Sequence, residues 1–350
     1  MVRVVLVGYG LSGRFFHRPL IAAAGYELDT VVTGNPERQA EARRDLGGVR
    51  VVPVDGAWLD PAPDLVVVAS PTGTHVALAG RALAAGCHVV VEKPMAADAR
   101  GARLLADTAA SARRLLVPFH NRRWDADHLT LVQLLAQGAL GEVLRYESRF
   151  ERWRPEPDPG AWRQRLPVED GGGVLLDLGV HVVDQAMALF GPVQQVYAEM
   201  AVRRGGADDD DFVALRHSGG VTSHLWAGAV AAAPGPRLRV LGSKAAYVHP
   251  YLDGQEAALR AGRGPSEAGF GEEPPERWGF LQRGDPAESG PPQPVPAVSG
   301  RWVHFYTQLL RSIDEGLAPP VSAAEAVAVL DVLDAARRSA ASRQVVHLGD

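Results

Sequence analysis

Residues 2–13 are Val-Arg-Val-Val-Leu-Val-Gly-Tyr-Gly-Leu-Ser-Gly. The aliphatic run Val2–Val7 predicts a buried strand, and the residues that follow, Gly8-Tyr9-Gly10-Leu11-Ser12-Gly13, have the spacing G-x-G-x-x-G. Such glycines permit a tight turn, a close approach of a pyrophosphate to the backbone, and close packing of a helix on the strand. The motif alone is weak, because glycine-rich turns are common. Its position between a predicted strand and a predicted helix favours dinucleotide binding by these six residues.

Strands and helices alternate over the first third of the chain. Short aliphatic runs predict further strands at Leu28–Thr33, Leu65–Ser70, His88–Glu92 and Leu115–Phe119. Helices are predicted between them, with a kink or break at Pro19, at Ser12–Ala24, Pro36–Leu46, Thr74–Ala85 and Ala97–Ala112. Runs that are apolar throughout are typical of a parallel sheet covered on both faces. The fold class is therefore α/β, with a doubly wound Rossmann domain predicted over residues 1–121.

The pattern changes after Asn121, and residues 122–350 are predicted to form a second, α+β domain that binds substrate. Longer alternating segments predict a large, mostly antiparallel open sheet made of Glu142–Phe150, Val193–Val202, Asp211–His217, Val221–Gly228, Leu238–Leu241 and Ala246–His249. Asp125–Ala136 is a predicted helix. The closing helices are Arg301–Glu315 and Ala323–Ser342, and residues 301–342 could pack back toward the first domain.

The segment Gly262–Gly300 is rich in Gly, Pro and Glu and has no periodicity. A structureless segment of this length is uncommon inside a compact domain, so it is either a lid over a site or a mobile surface loop. We favour the mobile loop.

Composition narrows the class of protein. The length of 350 residues suits two domains, and a net charge of -5 gives no reason to expect nucleic-acid binding. Cys87 is the one cysteine, which excludes an intrachain disulfide and indicates a reducing compartment, the cytoplasm. No apolar stretch approaches the roughly 20 residues of a membrane helix, and Val4–Val7 runs into Gly8 too soon for a signal peptide.

Metal binding is not expected. The eleven histidines show no H-E-x-x-H or comparable spacing, and no serine lies in a G-x-S-x-G elbow. The acidic run Asp208–Asp211 is interpreted as a solvated turn before a strand, since four adjacent carboxylates cannot converge on one ion.

The end of the second strand bears on the choice between NAD and NADP. An Asp or Glu there would bind the ribose 2′-hydroxyl of NAD, but no carboxylate lies between Val31 and Glu37. Thr33, Asn35 and Arg38 could instead bind a 2′-phosphate. The sequence thus favours NADP and leaves NAD open, because Arg38 could also be an ordinary solvated helix residue.

Two further motifs lie at the predicted carboxyl ends of strands, the edge at which open α/β sheets bind ligands. One is Glu92-Lys93-Pro94, whose Lys-Pro bond is a candidate for the cis isomer that would fix the direction of the lysine. The alternative is a surface strand end with a solvated lysine. The other motif is Ser70-Pro71-Thr72-Gly73-Thr74-His75, which would line the same cleft.

A carboxylate and a histidine lie four residues apart in the segment Gly171–Asp184. On a helix Asp177 and His181 would share a face, about 5–6 Å apart at Cβ, and Asp184 adds a second carboxylate. A carboxylate beside an imidazole orients it and favours its protonated form, which suits a general acid or base. The alternative is a capping aspartate and a core histidine.

Together these motifs resemble the glucose-fructose oxidoreductase / inositol dehydrogenase / MocA (Gfo/Idh/MocA) family. The resemblance rests on Gly8–Gly13, Ser70–His75, Glu92-Lys93-Pro94 and Gly171–Asp184 in this order, and it continues through Asn121-Arg122-Arg123-Trp124, Gly242-Ser243-Lys244 and Ala323–Leu348. The pair of Glu-Lys-Pro and Asp-x-Gly-x-His elements is specific. The likeness covers essentially the whole chain.

The resemblance implies NAD(P)-dependent oxidation of a hydroxyl group in a sugar, cyclitol or nucleotide-linked sugar, or reduction of the matching ketone. It assigns Lys93, Asp177 and His181 to the catalytic set and adds Glu92, Lys93 and Asn121 to the cofactor-binding residues. Candidates for substrate binding are Arg123, Trp124, Trp162 and Arg163, with Arg122 beside them. It also implies a homodimer or homotetramer formed through the second sheet.

Two other functions stay open at this point. One is a nucleotide-binding regulator without turnover, which would not need Lys93, Asp177 and His181 together. The other is a redox-neutral glycoside hydrolase that retains NAD. Only Lys93 and Lys244 among the 36 basic residues are lysine. Lys93 falls where a compact ammonium suits the chemistry better than a bulky, forked guanidinium, and no role is assigned to Lys244.

Overall fold

The computed structural model describes residues 1–158, 160, 162–284 and 290–349. The chain divides into two compact units. The first unit contains residues 1–121, 255–270 and 301–327, and the second contains residues 122–254, 271–300 and 328–350.

The strands are, in chain order, β1 Arg3–Val7, β2 Glu27–Val32, β3 Arg50–Val52, β4 Leu65–Val68, β5 His88–Val91, β6 Leu116–Pro118, β7 Val143–Glu151, β8 Val193–Ala201, β9 Asp210–His217, β10 Thr222–Gly228, β11 Leu238–Gly242, β12 Ala245–His249, β13 Gly279–Arg283, β14 Gln293–Val295 and β15 Val346–His347.

The helices are α1 Arg18–Ala23, α2 Pro36–Asp45, α3 His75–Ala84, α4 Ala99–Ala112, α5 Ala126–Ala136, α6 Trp162–Arg165, α7 Val180–Phe190, α8 Gln255–Arg260, α9 Val303–Glu315 and α10 Ala323–Ser342. A π-helical turn precedes α1 at Gly13–His17 and another precedes α7 at Leu175–Gly179. None of the described helices is long and apolar enough to cross a membrane.

The sheet of the first unit lies within residues 1–121, all of them described, and is parallel with the order β3-β2-β1-β4-β5-β6. Its central strands are valine-rich and almost entirely buried, as a sheet covered on both faces requires. This is the predicted doubly wound fold. The strand order reverses between β1 and β4, and ligands bind at such a switch point beyond the carboxyl ends of the strands.

The first helix changes its winding at the proline, as predicted. The π-helical turn Gly13–His17 gives way to α1 at Arg18, directly before Pro19. Proline has no N–H to donate within a helix, and a wider turn is one way to accommodate the lost hydrogen bond. The predicted set of strands omitted β3, which is short and only partly buried and so has a weak hydrophobic pattern.

The second sheet has nine strands in the described part of the chain, in the order β14-β13-β12-β11-β7-β10-β9-β8-β15. All neighbours are antiparallel except β10 and β7, which run parallel. The mostly antiparallel prediction is thus confirmed. The turn Leu175–Gly179 and α7 pack on β10 and β7, so the sheet supports the segment that carries Asp177 and His181.

The prediction for Gly262–Gly300 was wrong in part. Two strands of the second sheet, β13 and β14, lie inside this segment, and β13 pairs with β12 from Ala245↔Arg283 to Val248↔Phe280. Backbone hydrogen bonds to a neighbouring strand do not depend on a strict apolar alternation, which explains why the sequence pattern missed them.

Candidate active site

Two glycines of the Gly8–Gly13 turn have no room for a side chain. Gly8 has φ +102°, and a Cβ on it would lie 2.4 Å from the carbonyl oxygen of Ala69. A Cβ on Gly13 would lie 2.0 Å from the carbonyl oxygen of Gly8. At Gly10 a Cβ would meet only the Arg38 guanidinium, at 3.5 Å. The turn is therefore tight at its ends and open in the middle, as the approach of a pyrophosphate to the backbone requires.

The three residues after β2 that could contact the ribose of the cofactor differ in their contacts and exposure. The Asn35 side chain accepts the Arg38 N–H at 3.0 Å and so caps α2, while Thr33 is buried. Arg38 is exposed, and its guanidinium lies beside Gly10. Of these three residues, Arg38 is the one that places an exposed positive charge next to the glycine turn.

Glu92 joins the strand end to the glycine turn. Its Oε1 accepts hydrogen bonds from the Ser12 hydroxyl and from His17 Nε2, the latter at 3.1 Å, while Oε2 accepts the Lys93 N–H at 3.0 Å. His17 Nδ1 lies 2.6 Å from the Tyr306 hydroxyl. Burial by itself raises the pKa of Glu92, but the hydrogen bond and charge of His17, the Lys93 charge and the Ser12 hydroxyl outweigh it and lower the pKa to about 2. Glu92 is thus a buried carboxylate that positions the Lys93 backbone.

Lys93 itself is half-buried at the end of β5, and the Lys93–Pro94 peptide bond is cis, as the sequence suggested. His75 ties this point to the end of β4, because its two ring nitrogens lie 3.0 Å from the Pro94 carbonyl oxygen and 2.9 Å from that of Ser70. The Ser70 and Thr74 hydroxyls hydrogen-bond to each other at 2.6 Å. The two predicted motifs therefore do lie side by side.

The remaining cofactor candidates of the first unit differ in exposure. Leu11 and Pro71 are exposed, whereas Tyr9, Thr72 and Asn121 are buried. The Tyr9 hydroxyl donates to Asp45 at 3.3 Å, and burial, with the Asp45 charge, raises the pKa of Tyr9 to about 12. Tyr9 thus contributes to the packing of α2 in this structure.

Asp177 and His181 belong to the second unit. Asp177 lies in the π-helical turn, and its Oδ1 is 3.2 Å from Arg163 Nε. His181 is buried in α7, with its ring centroid 5.8 Å from that of Phe150. The spacing argument assumed regular α-helix through both residues, whereas the helix is π-helical at Asp177 and α-helical at His181. Asp177 and Arg163, two sequence candidates, are brought together as an ion pair.

The other residues predicted to bind substrate lie in different environments. Arg123 forms a two-point ion pair with Asp184, at 2.7 and 3.0 Å, and both side chains are largely buried. Trp124 is buried. Trp162 begins α6, and its side chain lies outside the described part of the structure.

Asp208–Asp211 is not the solvated turn that the sequence suggested, since Asp208, Asp209 and Asp211 are buried. Asp208 accepts the Leu175 N–H on Oδ2 at 2.8 Å, and its carbonyl oxygen accepts the Val174 N–H at 2.8 Å. Asp209 accepts the N–H groups of Arg203 and Arg204 and the Arg204 guanidinium. Backbone amides, some of them distant in sequence, and the Arg204 guanidinium replace the water that isolated carboxylates would need.

Asp211 is the buried partner of Asp208. Burial, together with the charge of Asp208 and a hydrogen bond to it, raises the pKa of Asp211 to about 10. At neutral pH Asp211 is therefore protonated and donates to the Asp208 carboxylate. This pair lies directly under Val174 and Leu175, where the segment that carries Asp177 begins.

Replacing Asp211 by asparagine is expected to stabilise the protein at high pH. A folded-state pKa above the unfolded value means that stability is full below about pH 4 and is lost as pH rises toward about 10. The asparagine amide would keep a donor to Asp208 without this loss, so the advantage of D211N in unfolding free energy should grow by ~4 kcal/mol between about pH 5 and pH 8. Urea unfolding at both pH values measures it, with D55N, at an exposed turn, as the control. An advantage that does not change with pH would contradict the proton assignment.

Sequence reasoning missed several residues of these sites. Nothing in the sequence connects His17 or Tyr306 to Glu92, because 75 residues separate His17 from Glu92 and 289 separate it from Tyr306. A cavity in the second unit was also missed, and its wall includes Arg152, Arg154, Arg163, Asp177, Arg204 and Asp208. The sequence features that could have indicated this cavity are the tripeptide Arg152-Trp153-Arg154 and the dipeptide Arg203-Arg204. Within the described residues no three His, Cys, Asp or Glu side chains form a group that could hold a metal ion.

Comparison with known proteins identifies the family. The family model described as "Oxidoreductase family, NAD-binding Rossmann fold" matches residues 2–120, and "GFO/IDH/MocA C-terminal domain" matches residues 128–248. The chain therefore belongs to the Gfo/Idh/MocA family of oxidoreductases, and its first unit contains the family's NAD-binding Rossmann fold. It is an oxidoreductase of that family.

Individual relatives are also named as dehydrogenases or oxidoreductases. The chain is 35% identical over 352 residues to scyllo-inositol 2-dehydrogenase (NADP(+)) IolW of Bacillus subtilis, covering 99% of this chain and 96% of the relative. It is 35% identical over 198 residues to D-glucoside 3-dehydrogenase of Escherichia coli, covering 54% of each. The solved structure of Bacillus subtilis yvaA superimposes with a TM-score of 0.91 at 33% identity, covering 99% of this chain and 100% of that one.

Proposed function

We propose that this oxidoreductase moves a hydride between a nicotinamide cofactor and a secondary alcohol, or the matching ketone, of a sugar, cyclitol or nucleotide-linked sugar. The observation that carries the proposal is the Glu92 network. One carboxylate accepts hydrogen bonds from Ser12 of the glycine turn and from the Lys93 backbone, so the lysine is fixed next to the turn that suits a pyrophosphate. The named activities of relatives on an inositol and a glucoside support the substrate class.

Three side chains receive roles in this proposal. His181 would take the hydroxyl proton, as a general base worth roughly 10²–10⁴-fold. The Lys93 ammonium would stabilise the alkoxide that develops as the proton leaves. Asp177 would orient His181 and stabilise its imidazolium form. When bound, the nicotinamide supplies the hydride chemistry itself.

The cofactor is proposed to be NADP. Arg38 supports this, because its guanidinium lies beside Gly10 and residues 33–36, which directly follow β2, include no carboxylate of the kind that binds a ribose 2′-hydroxyl. The named cofactor of the Bacillus subtilis relative agrees. The helix that begins at the glycine turn would offer its free N–H groups to the pyrophosphate.

Replacing Arg38 by alanine should raise KM for NADP about 10-fold or more and change KM for NAD by less than about 2-fold. The reason is that a guanidinium–phosphate contact, worth roughly 1.5–3 kcal/mol, exists only with the 2′-phosphate. R43A is a matched control on the same helix, since Arg43 is exposed and contacts Gln39. Equal losses with both cofactors would contradict the assignment of Arg38.

The proposed activity is tested by incubating the protein with NADP or NAD and a panel of inositols, hexoses and glycosides while following the absorbance of the reduced nicotinamide. Turnover with at least one polyol is expected. Cofactor binding without turnover on any of them would point to a regulator. Glycoside cleavage with no net reduction of a retained cofactor would point to a hydrolase.

The remaining proposals concern the roles of the two domains, the oligomeric state and the cellular location. We propose that residues 1–121 bind the cofactor and residues 122–350 bind substrate, and that the second sheet forms the contact of a homodimer or homotetramer. The location proposed is the cytoplasm, in keeping with the single buried cysteine, whose thiol pKa is raised by burial. Light scattering of the purified protein would measure the oligomer size.

A further inference from the structure

A buried histidine that the proposed function does not use lies beside the Glu92 carboxylate. His17 is fully buried in the first unit, and its Nε2 lies 3.1 Å from Glu92 Oε1. The same oxygen accepts the Ser12 hydroxyl, and the other oxygen accepts the Lys93 N–H at 3.0 Å. One carboxylate thus connects His17 both to the glycine turn and to the lysine that we propose to be catalytic.

The π-helical turn Gly13–His17 explains how two side chains reach one oxygen. Ser12 and His17 are five residues apart, a separation that places side chains about 140° apart around an α-helix. In this turn the Arg18 N–H instead bonds to the carbonyl oxygen five residues back, so residues i and i+5 come close to alignment. The wider winding therefore directs Ser12 and His17 to the same side of the helix, toward Glu92.

The His17 ring is held at its other nitrogen as well. Nδ1 lies 2.6 Å from the Tyr306 hydroxyl, and the ring packs on Phe119 with centroids 4.3 Å apart. Tyr306 is buried, and its own carbonyl oxygen accepts the Tyr26 hydroxyl at 2.9 Å. Burial, with the charges of Tyr26 and Glu92, raises the pKa of Tyr306 well above its usual range, so the hydroxyl keeps its proton. Contacts at both nitrogens therefore fix the ring.

Glu92 depends on such donors because a carboxylate without them takes up a proton when it is buried. Burial does raise the pKa of Glu92. The hydrogen bond and charge of His17 are the largest contributions that lower it, ahead of the Lys93 charge and the Ser12 hydroxyl. A neutral carboxyl is a weaker acceptor than a carboxylate. The contact with His17 therefore preserves the acceptor that holds the lysine backbone.

We propose that His17 is a positioning residue for Lys93. Tyr306 orients the His17 ring, the ring fixes the Glu92 carboxylate, and that carboxylate holds the lysine backbone beside the glycine turn. The inference rests on the proposed function, because a displaced Lys93 slows the reaction only if its ammonium stabilises the developing alkoxide. A displacement of about 1 Å at a reacting group costs on the order of 100-fold in rate.

Two substitutions of His17 separate its Nε2 contact from the space that it fills. The amide of glutamine reaches about as far as Nε2, whereas that of asparagine reaches only about as far as Nδ1. H17N should therefore lower kcat by about 10-fold or more, the value of a hydrogen bond to a charged group, and H17Q should stay within about 3-fold of wild type. H304N is the control, since His304 is partly exposed on α9. Thermal unfolding shows which variants fold.

An infrared titration tests the same contact without turnover. The carbonyl band of protonated glutamate is followed from about pH 7 to pH 4 in protein with isotope-labelled glutamate, and E92Q in each background identifies the Glu92 band. Wild type should show no Glu92 band, because the pKa of this group is about 2. In H17N the band should appear as the pH falls, since fewer groups then oppose the effect of burial. In H17Q it should appear at lower pH than in H17N.

Tyr306 and Tyr26 give a second comparison, in which His17 stays in place. Both are buried phenols, but the Tyr306 hydroxyl contacts the His17 ring, whereas the Tyr26 hydroxyl donates to a backbone carbonyl oxygen. Y306F should lower kcat by about 3-fold or more and Y26F by less than about 2-fold, even where the two lower Tm equally. A merely structural role of Tyr306 would give the same kcat in both variants.

The outcomes separate this inference from the proposed function. If H17N folds and keeps more than about half of the wild-type kcat, or if its Glu92 band is absent, the role of His17 is overturned. If H17N does not fold, equal kcat values in Y306F and Y26F overturn it. If wild type turns over no polyol of the panel, the proposed oxidation fails, and the Glu92 band in H17N decides by itself whether His17 fixes the carboxylate.

Discussion

Replacing Lys93 by arginine is expected to lower kcat by at least about 100-fold while the protein stays folded and binds NADP as before. Arginine keeps the positive charge, but its guanidinium is larger, planar and always protonated, so it cannot place a single compact N–H donor at the oxygen that develops charge. The Lys93 backbone N–H is held by the Glu92 carboxylate, so the backbone cannot shift easily to compensate for a longer side chain. Steady-state kinetics with the best substrate of the panel, together with calorimetric binding of NADP, measure the effect.

The chain provides its own control for this experiment. Lys244 is the other lysine; it is exposed in the turn between β11 and β12. K244R makes the same chemical change away from the proposed site and should leave kcat, KM and Tm unaltered. If K93R retained more than about half of the wild-type kcat, the role of Lys93 in stabilising an alkoxide would be wrong.

Alanine at Gly13 should destabilise the first unit, whereas alanine at Gly10 should spare the fold and weaken cofactor binding. A Cβ at Gly13 would lie 2.0 Å from the Gly8 carbonyl oxygen, so the backbone must move, and we expect a loss of ~3 kcal/mol of unfolding free energy. A Cβ at Gly10 meets nothing closer than Arg38 at 3.5 Å, but it occupies the opening through which a pyrophosphate would reach the backbone. NADP affinity should fall about 10-fold or more in G10A.

Thermal unfolding with and without saturating NADP distinguishes the two glycines. A ligand that binds only the native state raises Tm, so wild type should show a clear shift, G10A a normal Tm with a reduced shift, and G13A a lowered Tm in both conditions. G80A serves as the control, because Gly80 lies within α3 and a Cβ there would meet nothing within 4 Å. A full NADP shift in G10A would show that the turn does not bind the cofactor.

Much of the fold was predictable because it is encoded by neighbours in the chain. The valine runs of β1, β4 and β5 are apolar on both faces, which is typical of a covered parallel sheet, and Pro19 marks the point where the first helix changes its winding. Local pattern failed where it is weak, at β3 and at β13 and β14. Those strands are held by pairing with an adjacent strand and have little hydrophobic signal of their own.

The candidate site, like the fold, was predictable from the sequence only in part. The types and order of Gly8–Gly13, Lys93, Asp177 and His181 were visible in the sequence, because turn chemistry and short spacings restrict which residues can serve. Their partners were not visible. Asp177 lies beside Arg163, and Asn35, a ribose candidate, is engaged as a helix cap.

By itself, then, the sequence determined the class of the first fold, the position of the glycine turn and the residues proposed for the chemistry. The tertiary structure alone decided that Glu92 is a buried carboxylate between Ser12 and His17, that Asp211 is buried beside Asp208, and that four arginines line one cavity. The physical reason is the distance along the chain over which each effect acts. Helix, strand and turn preferences act over a few residues, whereas the burial of a charge depends on which distant groups replace its water.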